Sequence, residues 1–412
     1  MSDATLAIDF GTSTSAAAVL ADGKPWRIPV ETGADTLPTA VFFPAGGGAM
    51  RIGAAAARAQ TAGDEGRYMR GLKSVLGTDL MHQTRLIAGR RLSLTDILSQ
   101  FLATLKERAE TATGLRFRRA LSGRPVRFHS RDAARNARAE EDLRACYLAA
   151  GFEEVRFRLE PEAAALAAHG LGKEGETGII VDIGGGTSDF SVYASDGGRP
   201  RILASHGIRL GGTDFDHAVS LRHIMPHLGH GGELRREFGP GLLPVPPALF
   251  VDLARWETIP FLYTPETRRE AKAMAAQAVE PQKLGRLVTV LRDELGHDLA
   301  FAAERGKIAA NGPEGAAQIG LGLVEPGLAA PIDRASLDAA LSGFAGKLTE
   351  AAEQTLADAG VPADSIRAVI LVGGSSLMSL VTDEMRTLFP TAPQHRTEAF
   401  TAVVDGLALA TA

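Results

Sequence analysis

Two stretches of the chain share one pattern of apolar and polar positions. In each, an apolar run ends in an aspartate, a turn of Gly, Thr and Ser follows, and a second apolar run begins. The stretches are AIDFGTSTSA (residues 7–16) and VDIGGGTSDF (residues 181–190), and their aspartates are Asp9 and Asp182. Apolar runs on both sides of a short glycine-containing turn predict a β-hairpin. The sequence therefore predicts the same kind of hairpin twice.

Helical and extended patterns alternate around these hairpins. A capping box at Ser93–Asp96 and apolar residues at four-residue spacing predict a helix from about Thr95. A second helix is predicted to end at Gly151, where glycine is a common terminator. Alternating Val155, Phe157 and Leu159 predict a strand, and the next helix begins at Glu160-Pro161. This order of strands and helices predicts a layered α/β fold.

The second half of the chain repeats this organisation with a longer helical part. Residues of about 217–311 are predicted to be mainly helical, with an irregular Gly- and Pro-rich segment. His227 and His230 lie in that segment, and we interpret them as loop residues because no further ligand has a suitable spacing for zinc. A buried strand before Gly373-Gly374 and an Ala-rich helix close the chain.

Composition narrows the class of protein. The chain has 412 residues, which exceeds what one compact core usually holds and predicts two large lobes. A net charge of −5 does not favour a nucleic-acid or anionic membrane partner. The single cysteine, Cys146, excludes an internal disulfide and is expected to be a buried thiol. The N-terminus enters a strand directly, so we expect no signal peptide, no membrane span and a cytoplasmic protein.

The glycine turns point to phosphate chemistry. Glycine permits positive φ and lets an anion approach main-chain N–H groups, and Thr and Ser hydroxyls add donors. An aspartate at the end of an apolar strand is costly to desolvate unless a cation is near, and a hydrated Mg²⁺ ion that bridges phosphates meets that need. The repeated pattern therefore predicts one nucleotide held between two facing halves. Neither a P-loop nor a dinucleotide-binding fingerprint is present.

The motifs resemble those of a known family. IDFGTSTS and VDIGGGTSDFSVY are similar to the two phosphate motifs, and LVGGSSLM to the adenosine motif, of the ATPase domain of the 70-kDa heat-shock (DnaK-type) chaperones. LEPEAAALAAHGLG resembles the connecting helix of that family, and RLGGTDFD the segment after the second hairpin. The chain is most similar to the shorter YegD-type branch. The resemblance runs from about Leu6 to Ala410 and is weak only at about 229–286.

This resemblance implies a fold and its boundaries. The implied fold is the actin-like (ribonuclease H-like) α/β ATPase fold, with two lobes that each contain a mixed sheet and an inserted subdomain. We expect lobe I to comprise residues 1–175 and 395–412, with an insertion at about 36–115. Lobe II is expected at 176–394, with an insertion at about 217–311. The family chaperones continue into a peptide-binding domain, which we do not expect after Ala412.

The resemblance also implies roles for individual residues. Lys73, in GLKSVLG, matches the family's essential lysine near the attacked phosphate, Glu160 would orient water, and Thr187 would lie beside the γ-phosphate. Asp9 and Asp182 would hold Mg²⁺ through water, and Asp182 would join Lys73, Glu160 and Thr187 in catalysis. The residues expected to contact the nucleotide are Gly11, Thr12, Ser13, Gly184, Gly185, Gly186, Gly211, Gly212, Glu304, Lys307, Ile308, Gly373, Gly374 and Ser375.

Three positions depart from the family pattern. Ile308 and Leu377 stand where the family usually has arginines, and an acidic residue before the last helix is replaced near Phe400. Loss of the arginine that stacks on adenine at position 308 predicts weaker adenine binding, while the phosphate chemistry is expected to be kept.

The implied function is an Hsp70-like chaperone-type ATPase. It would bind ATP or ADP with Mg²⁺ between the lobes, hydrolyse ATP slowly and couple hydrolysis to lobe closure. Expected partners are the nucleotide and a co-chaperone, a nucleotide-exchange factor or a client protein, with no nucleic acid and no membrane. Two alternatives stay open: a nucleotide-binding regulatory or scaffold protein with little hydrolysis, and a small-molecule kinase of the same superfamily.

Overall fold

A computed structural model describes residues 4–129, 132–167, 175–196, 199–396 and 401–412. The chain divides into two compact units. Unit 1 comprises Met1–Gly212 and Ala345–Ala412, and unit 2 comprises Thr213–Phe344. The boundaries of the expected lobes and of their insertions stay predictions. Among the described residues, none of the helices is both long enough and apolar enough to cross a bilayer.

The described part of the chain contains both strands and helices. The strands are β1 (Thr5–Phe10), β2 (Thr14–Ala21), β3 (Lys24–Arg27), β4 (Thr36–Pro38), β5 (Ala40–Pro44), β6 (Arg51–Ile52), β7 (Gly66–Arg70), β8 (Arg85–Ile87), β9 (Arg90–Leu92), β10 (Arg119–Arg124), β11 (Glu154–Leu159), β12 (Thr177–Ile183), β13 (Ser188–Asp196), β14 (Arg199–Ile208), β15 (Glu233–Arg235), β16 (Leu242–Pro244), β17 (Ala316–Gly320), β18 (Ala329–Asp333), β19 (Ile366–Val372) and β20 (Gln394–Arg396). The α-helices are α1 (Ala54–Thr61), α2 (Leu94–Thr113), α3 (Ala133–Ala149), α4 (Glu160–Ala167), α5 (Gly212–Val219), α6 (Ala248–Leu253), α7 (Pro265–Gln277), α8 (Pro281–Arg292), α9 (Gly296–Asn311), α10 (Arg334–Ala359), α11 (Ser379–Leu388) and α12 (Ala402–Leu409).

Two sheets of unit 1 have the same topology. The first has the strand order β3-β2-β1-β10-β11, with β4 also paired to β2, and the second has the order β14-β13-β12-β19-β20. In each sheet the first three strands are antiparallel. The fourth strand then pairs in parallel with the central strand, and the fifth pairs in parallel with the fourth. The two predicted hairpins are therefore the corresponding β1–β2 and β12–β13 pairs of two matching mixed sheets.

Helices α4 and α12 pack against both sheets. One buried cluster joins the two helices to the two sheets. Its helical members include Ala163, Ala164, Ala165, Val403, Val404, Leu407 and Ala408, and its strand members include Ala7, Ala16, Ala18, Ile180, Ile370 and Val372. The helices approach so closely that a methyl group on Gly406 would overlap the carbonyl oxygen of Ala163. Because α4 begins at Glu160, this packing also positions one of the predicted site residues.

Several local predictions are confirmed. The Ser93–Asp96 capping box is formed and begins α2. Gly151 follows α3 with a φ of 88°, in the left-handed region that favours glycine. Cys146 is fully buried, and burial raises the pKa of its thiol to about 12. The end of the predicted helix beyond Ala167, and the position of Phe400, lie outside the described residues.

Unit 2 is mainly helical, as predicted for most of its length. It contains α6–α9, with two hairpins, β15–β16 and β17–β18. Helix α9 packs on the second hairpin, and a methyl group on its Gly306 would lie 2.5 Å from Ile319. This unit carries the residues predicted at the nucleoside, Glu304, Lys307 and Ile308, on one helix.

Candidate functional site

The two hairpin turns have the same hydrogen bond. In the first, the Gly11 N–H donates to the Thr14 carbonyl at 3.0 Å, and in the second the Gly184 N–H donates to the Thr187 carbonyl at 3.1 Å. Both turns contain four residues and place an aspartate two positions before the turn begins. The pattern that repeats in sequence therefore repeats in geometry.

The tips of the turns contact each other. A methyl group on Gly185 would overlap Ser13 Oγ, and one on Gly186 would lie 2.8 Å from Thr12 Oγ1. This close approach explains the glycines differently from the sequence argument, which invoked positive φ. Neither Gly185 nor Gly186 lies in the left-handed region. They are needed because a side chain would separate the turns, and the structure brings together two hydroxyls and two main-chain segments that were predicted to hold phosphates.

A third segment, after β14, packs on the second turn. The Gly212 N–H donates to the Gly184 carbonyl at 3.0 Å. A methyl group on Gly211 would lie 2.5 Å from Gly186 N, and one on Gly212 would overlap Ser375 Oγ. The predicted residues Gly211, Gly212 and Ser375 thus lie beside the hairpin turns.

The Gly373-Gly374 turn reaches the same place from β19. Gly373 has a φ of 78°, and a methyl group there would overlap the Ile183 carbonyl and lie 2.9 Å from Asp182 Oδ1. Both the left-handed backbone and the absence of a side chain are required at this position. Gly374 follows at the start of a 3₁₀ turn (Gly374–Leu377). The carboxyl ends of the parallel strands β12 and β19 therefore meet at Asp182.

Lys73 and Glu160 form a buried ion pair. Lys73 lies on a 3₁₀ turn (Leu72–Val75), and its Nζ is 2.8 Å from Glu160 Oε1. The side chains are only 6% and 11% exposed. Burial alone would lower the pKa of Lys73, but Glu160, Asp9 and Asp189 raise the pKa above its ordinary value, so the ammonium is charged. The ion pair connects two predicted catalytic residues that are distant in sequence.

Three aspartates belong to the same cluster as this ion pair, namely Asp9, Asp182 and Asp189. Burial and neighbouring carboxylates make their ionised forms unfavourable. Asp9 retains some exposed surface, but protein atoms surround its carboxylate. This desolvation and the charge of Glu160 raise its pKa to about 7. Desolvation followed by the charges of Glu160 and Asp9 raises the pKa of Asp182 well above its ordinary value. The site thus carries more acidic groups than one lysine can neutralise, which is the donor chemistry that suits a hard divalent cation.

Asp189 is a member of this cluster that the sequence reasoning did not identify. It is 1% exposed, and desolvation, Glu160 and Asp182 raise its pKa well above the ordinary value. The Val126 N–H donates to Asp189 Oδ1 at 2.8 Å. A signal was present in the sequence, because a four-residue turn at 184–187 pairs Asp182 with Asp189 and directs both side chains to one face.

The residues predicted to contact the nucleoside lie on α9 of unit 2, and one of them forms a buried ion pair there. Lys307 Nζ is 2.6 Å from Asp216 Oδ1, and both side chains are buried. The Trp256 Nε1–H donates to Asp216 Oδ2 at 3.1 Å. Glu304 is partly buried, while Ile308 is 59% exposed. Lys307 is thus held in a buried network, and the role of these residues at a nucleoside stays a prediction.

The described ranges contain no group of three or more His, Cys, Asp or Glu side chains placed to hold a metal ion directly. The carboxylates that could bind a cation through water are those around Lys73, which are Asp9, Glu160, Asp182 and Asp189.

Comparison with known proteins agrees with this geometry. The sequence profile of the Hsp70 protein family matches residues 5–231 and 301–412. The chain is 30% identical over 383 residues to the chaperone protein DnaK of Methanothermobacter thermautotrophicus, a match that covers 91% of this chain and 54% of the relative. It is 33% identical over 272 residues to the heat shock 70 kDa protein BIP3 of Oryza sativa subsp. japonica, with 56% and 39% covered.

The chain spans about half or less of the length of these curated relatives. Assignment to the YegD-type branch stays a prediction, because the matches identify the wider family. Together with the two sheets of matching topology, the profile match confirms the predicted α/β fold of the actin-like ATPase class and shows that the chain belongs to the Hsp70 family.

Proposed function

We propose that the chain binds MgATP at the facing hairpin turns and slowly hydrolyses it to ADP and phosphate, with closure of its lobes as the output. The observation that carries this proposal is the buried Lys73–Glu160 ion pair beside three aspartates with raised pKa values. One cation among four acids is an unstable arrangement unless a further positive charge joins it.

The turns supply the groups that would hold phosphates. Thr12 Oγ1 and Ser13 Oγ point to Gly186 and Gly185 of the facing turn, so hydroxyl donors and glycine main chain lie together. Clusters of hydroxyl and main-chain N–H donors bind anions. In the proposal these residues, with Gly11, Gly184, Gly211 and Gly212, hold the phosphate chain, and Gly373, Gly374 and Ser375 contact the adjoining nucleoside.

The acids fit a magnesium ion held through its waters. Mg²⁺ dehydrates reluctantly and usually keeps several waters, so it can be bound by Asp9 and Asp182 without a group of direct ligands. When held by Asp9 and Asp182, the ion would supply positive charge that offsets the negative charge developing in phosphoryl transfer. Its approach would favour the ionised forms of Asp9 and Asp182, whose pKa values are raised in the protein alone.

The protein groups have distinct parts in the proposed reaction. Glu160 and Asp182 orient the attacking water, and one of them accepts its proton. The raised pKa of Asp182 makes it a stronger base than an ordinary aspartate once it is ionised. Lys73 neutralises charge on the transferred phosphoryl group, and Thr187 lies beside the γ-phosphate. Asp189 adds charge to the same cluster and is held by the Val126 N–H.

The proposal extends to the nucleoside and to partners. Glu304, Lys307 and Ile308 contact the nucleoside, with Ile308 unable to provide the cation–π contact of an arginine.

The relatives are named as a chaperone and a heat-shock protein. We therefore propose a chaperone-type activity in the cytoplasm that involves a co-chaperone, a nucleotide-exchange factor or a client protein.

Phosphate release without an added acceptor tests the proposed reaction. The purified chain is incubated with MgATP labelled at the γ-phosphate, with and without a chelator in excess of the metal. Slow release of phosphate that the chelator abolishes is expected. Bound ATP that is retained without release would instead support a nucleotide-binding scaffold. Transfer of the label only after a small-molecule acceptor is added would support a kinase.

A further inference from the structure

One peptide group, which follows Lys73 by a few residues in the chain, accepts a hydrogen bond from one side chain and donates to another. The peptide joins Leu76 and Gly77. Its carbonyl oxygen accepts a hydrogen bond from His129 Nε2 at 2.7 Å, and its N–H donates to Asp142 Oδ2 at 2.8 Å. His129 and Asp142 are 7% and 6% exposed. Two buried side chains therefore fix the orientation of a single peptide plane.

The two side chains come from separate parts of unit 1. His129 follows β10, and Asp142 lies on α3. Asp142 is held in turn, because its Oδ1 is 3.0 Å from His82 Nε2. Since a carbonyl oxygen can only accept, His129 Nε2 carries the proton. Burial lowers the pKa of His129; the hydrogen bond to Leu76 opposes this effect and the charges of Arg209 and Arg135 add to it, so the ring is neutral at pH 7.

The segment that carries Lys73 depends on such contacts. Its 3₁₀ turn has four residues and is flanked by Gly71 and Gly77, with φ of 75° and 76°. A 3₁₀ turn of this length has little stability of its own, and glycine flanks add freedom in the unfolded chain. Gly77 also packs against α3, where a methyl group would overlap the Arg135 carbonyl. The clamped peptide lies immediately after this turn.

We propose that His129 and Asp142 are positioning residues, which hold the Lys73 ammonium against Glu160 by fixing the Leu76–Gly77 peptide. This inference rests on the proposed hydrolysis, in which Lys73 acts on charge in the transition state. The segment that carries His129 also reaches the other side of the site, because the Val126 N–H in that segment donates to Asp189. A displacement of about 1 Å at a catalytic group can cost about 10²-fold in rate.

Paired substitutions separate the hydrogen bond from the packing. Glutamine can place a donor where His129 Nε2 lies, whereas leucine fills the space without one. We expect His129→Leu to lower kcat for ATP about 10- to 100-fold with little change in nucleotide Kd, and His129→Gln to restore most of the loss. Asp142→Ala is expected to behave like the leucine variant, and Asp142→Asn, which keeps an acceptor oxygen, like the glutamine variant.

A Lys73→Ala background shows whether the effect passes through Lys73. If it does, His129→Leu lowers kcat in the wild type but causes no further loss when Lys73 is absent. An equal fold-loss in both backgrounds would overturn the inference, as would a fall in nucleotide affinity with kcat unchanged.

Hydrogen–deuterium exchange provides a readout that needs no hydrolysis. In the nucleotide-free protein, His129→Leu is expected to speed amide exchange in residues 71–78 but not in β12, and His129→Gln to leave both unchanged. Unchanged exchange in residues 71–78 of the leucine variant would contradict the clamp. A failure of the proposed hydrolysis alone would leave this difference between the variants in place. A leucine variant that exchanges quickly in every segment is unfolded, and the Asp142→Asn and Asp142→Ala pair then decides the inference by the same readout.

Discussion

Asp182 and Asp189 lie directly opposite each other on β12 and β13. Their side chains project from one face of the sheet, and like charges in such cross-strand pairs are destabilising. Desolvation and the surrounding carboxylates raise the pKa of both residues. This arrangement suits the proposed cation, and it makes the stability of the nucleotide-free protein depend on pH.

The stability of the nucleotide-free protein should depend on pH, because the ionised form of Asp9 is unfavourable in the folded protein. Its pKa in the folded protein is about 7, against 3.8 ordinarily. A carboxyl with a raised folded pKa contributes stability that is fully present below its unfolded pKa and is lost as pH rises through the folded pKa. We therefore expect Asp9→Asn, which has no charge to develop, to gain stability relative to the wild type as pH rises from 4 to 8.

Denaturant unfolding of both proteins at several pH values measures this difference without metal or nucleotide. One pKa unit corresponds to about 1.4 kcal/mol, so the relative gain should be on the order of a few kcal/mol. The control is Asp196→Asn, since Asp196 is an exposed residue of β13. A constant difference between wild type and Asp9→Asn across this pH range would show that Asp9 is not charged at unfavourable cost.

Lys73→Ala should suppress turnover while leaving most of the nucleotide affinity. The ammonium is proposed to act on charge that develops in the transition state, so its loss appears in kcat more than in Kd. The variant also leaves Glu160 buried without its partner, and it is expected to be several kcal/mol less stable. Single-turnover hydrolysis, calorimetry with MgATP and thermal unfolding are the measurements.

Lys24→Ala is the matched control, because Lys24 is exposed on β3 of the same unit. Unchanged kcat with a large loss of affinity in Lys73→Ala would assign this lysine to ground-state binding instead.

Local pattern was sufficient to predict the hairpins, and long-range contacts were not predictable. The repeated Asp-x-Gly arrangement identified Asp9 and Asp182 because turn chemistry and strand alternation act over a few residues. The role of Lys73 came only from family resemblance, since nothing in GLKSVLG shows its 2.8 Å contact with Glu160, 87 positions away. His129 and Asp142 gave no sequence signal, because their partners are main-chain atoms of a distant loop.

The close crossing of α4 and α12 should make Gly406 intolerant of a side chain. A methyl group there would overlap the main chain of Ala163, which can move only if the helices separate. Gly406→Ala is therefore expected to destabilise unit 1 by about 1–3 kcal/mol or more. Gly346→Ala provides the contrast, because no atom lies within 4 Å of its added methyl group in α10. That variant should stabilise by about 0.5–1 kcal/mol, as glycine is a poor helix former. Equal effects in urea unfolding would contradict this description of the helix crossing.

Ile308→Arg should strengthen binding of ATP. Ile308 is 59% exposed on α9, so an arginine can be accommodated, and a guanidinium stacked on adenine contributes roughly 0.5–2 kcal/mol. About 1.4 kcal/mol is a factor of ten in affinity. Calorimetry with MgATP and MgGTP should show weak discrimination in the wild type and a gain for ATP in the variant. Strong adenine selectivity in the wild type that the arginine does not change would show that other residues hold the base.

Single-turnover hydrolysis by Asp182→Asn tests the claim that the acid cluster at the hairpin turns carries out hydrolysis of MgATP. Asparagine keeps the size of the side chain and removes its charge, and loss of one position-critical electrostatic contact typically costs about 10²- to 10³-fold in rate. The variant should therefore remain folded and bind nucleotide, but convert bound ATP at least about 100-fold more slowly than the wild type and than Asp196→Asn on the same hairpin. Conversion of ATP by Asp182→Asn at the wild-type rate would contradict the claim.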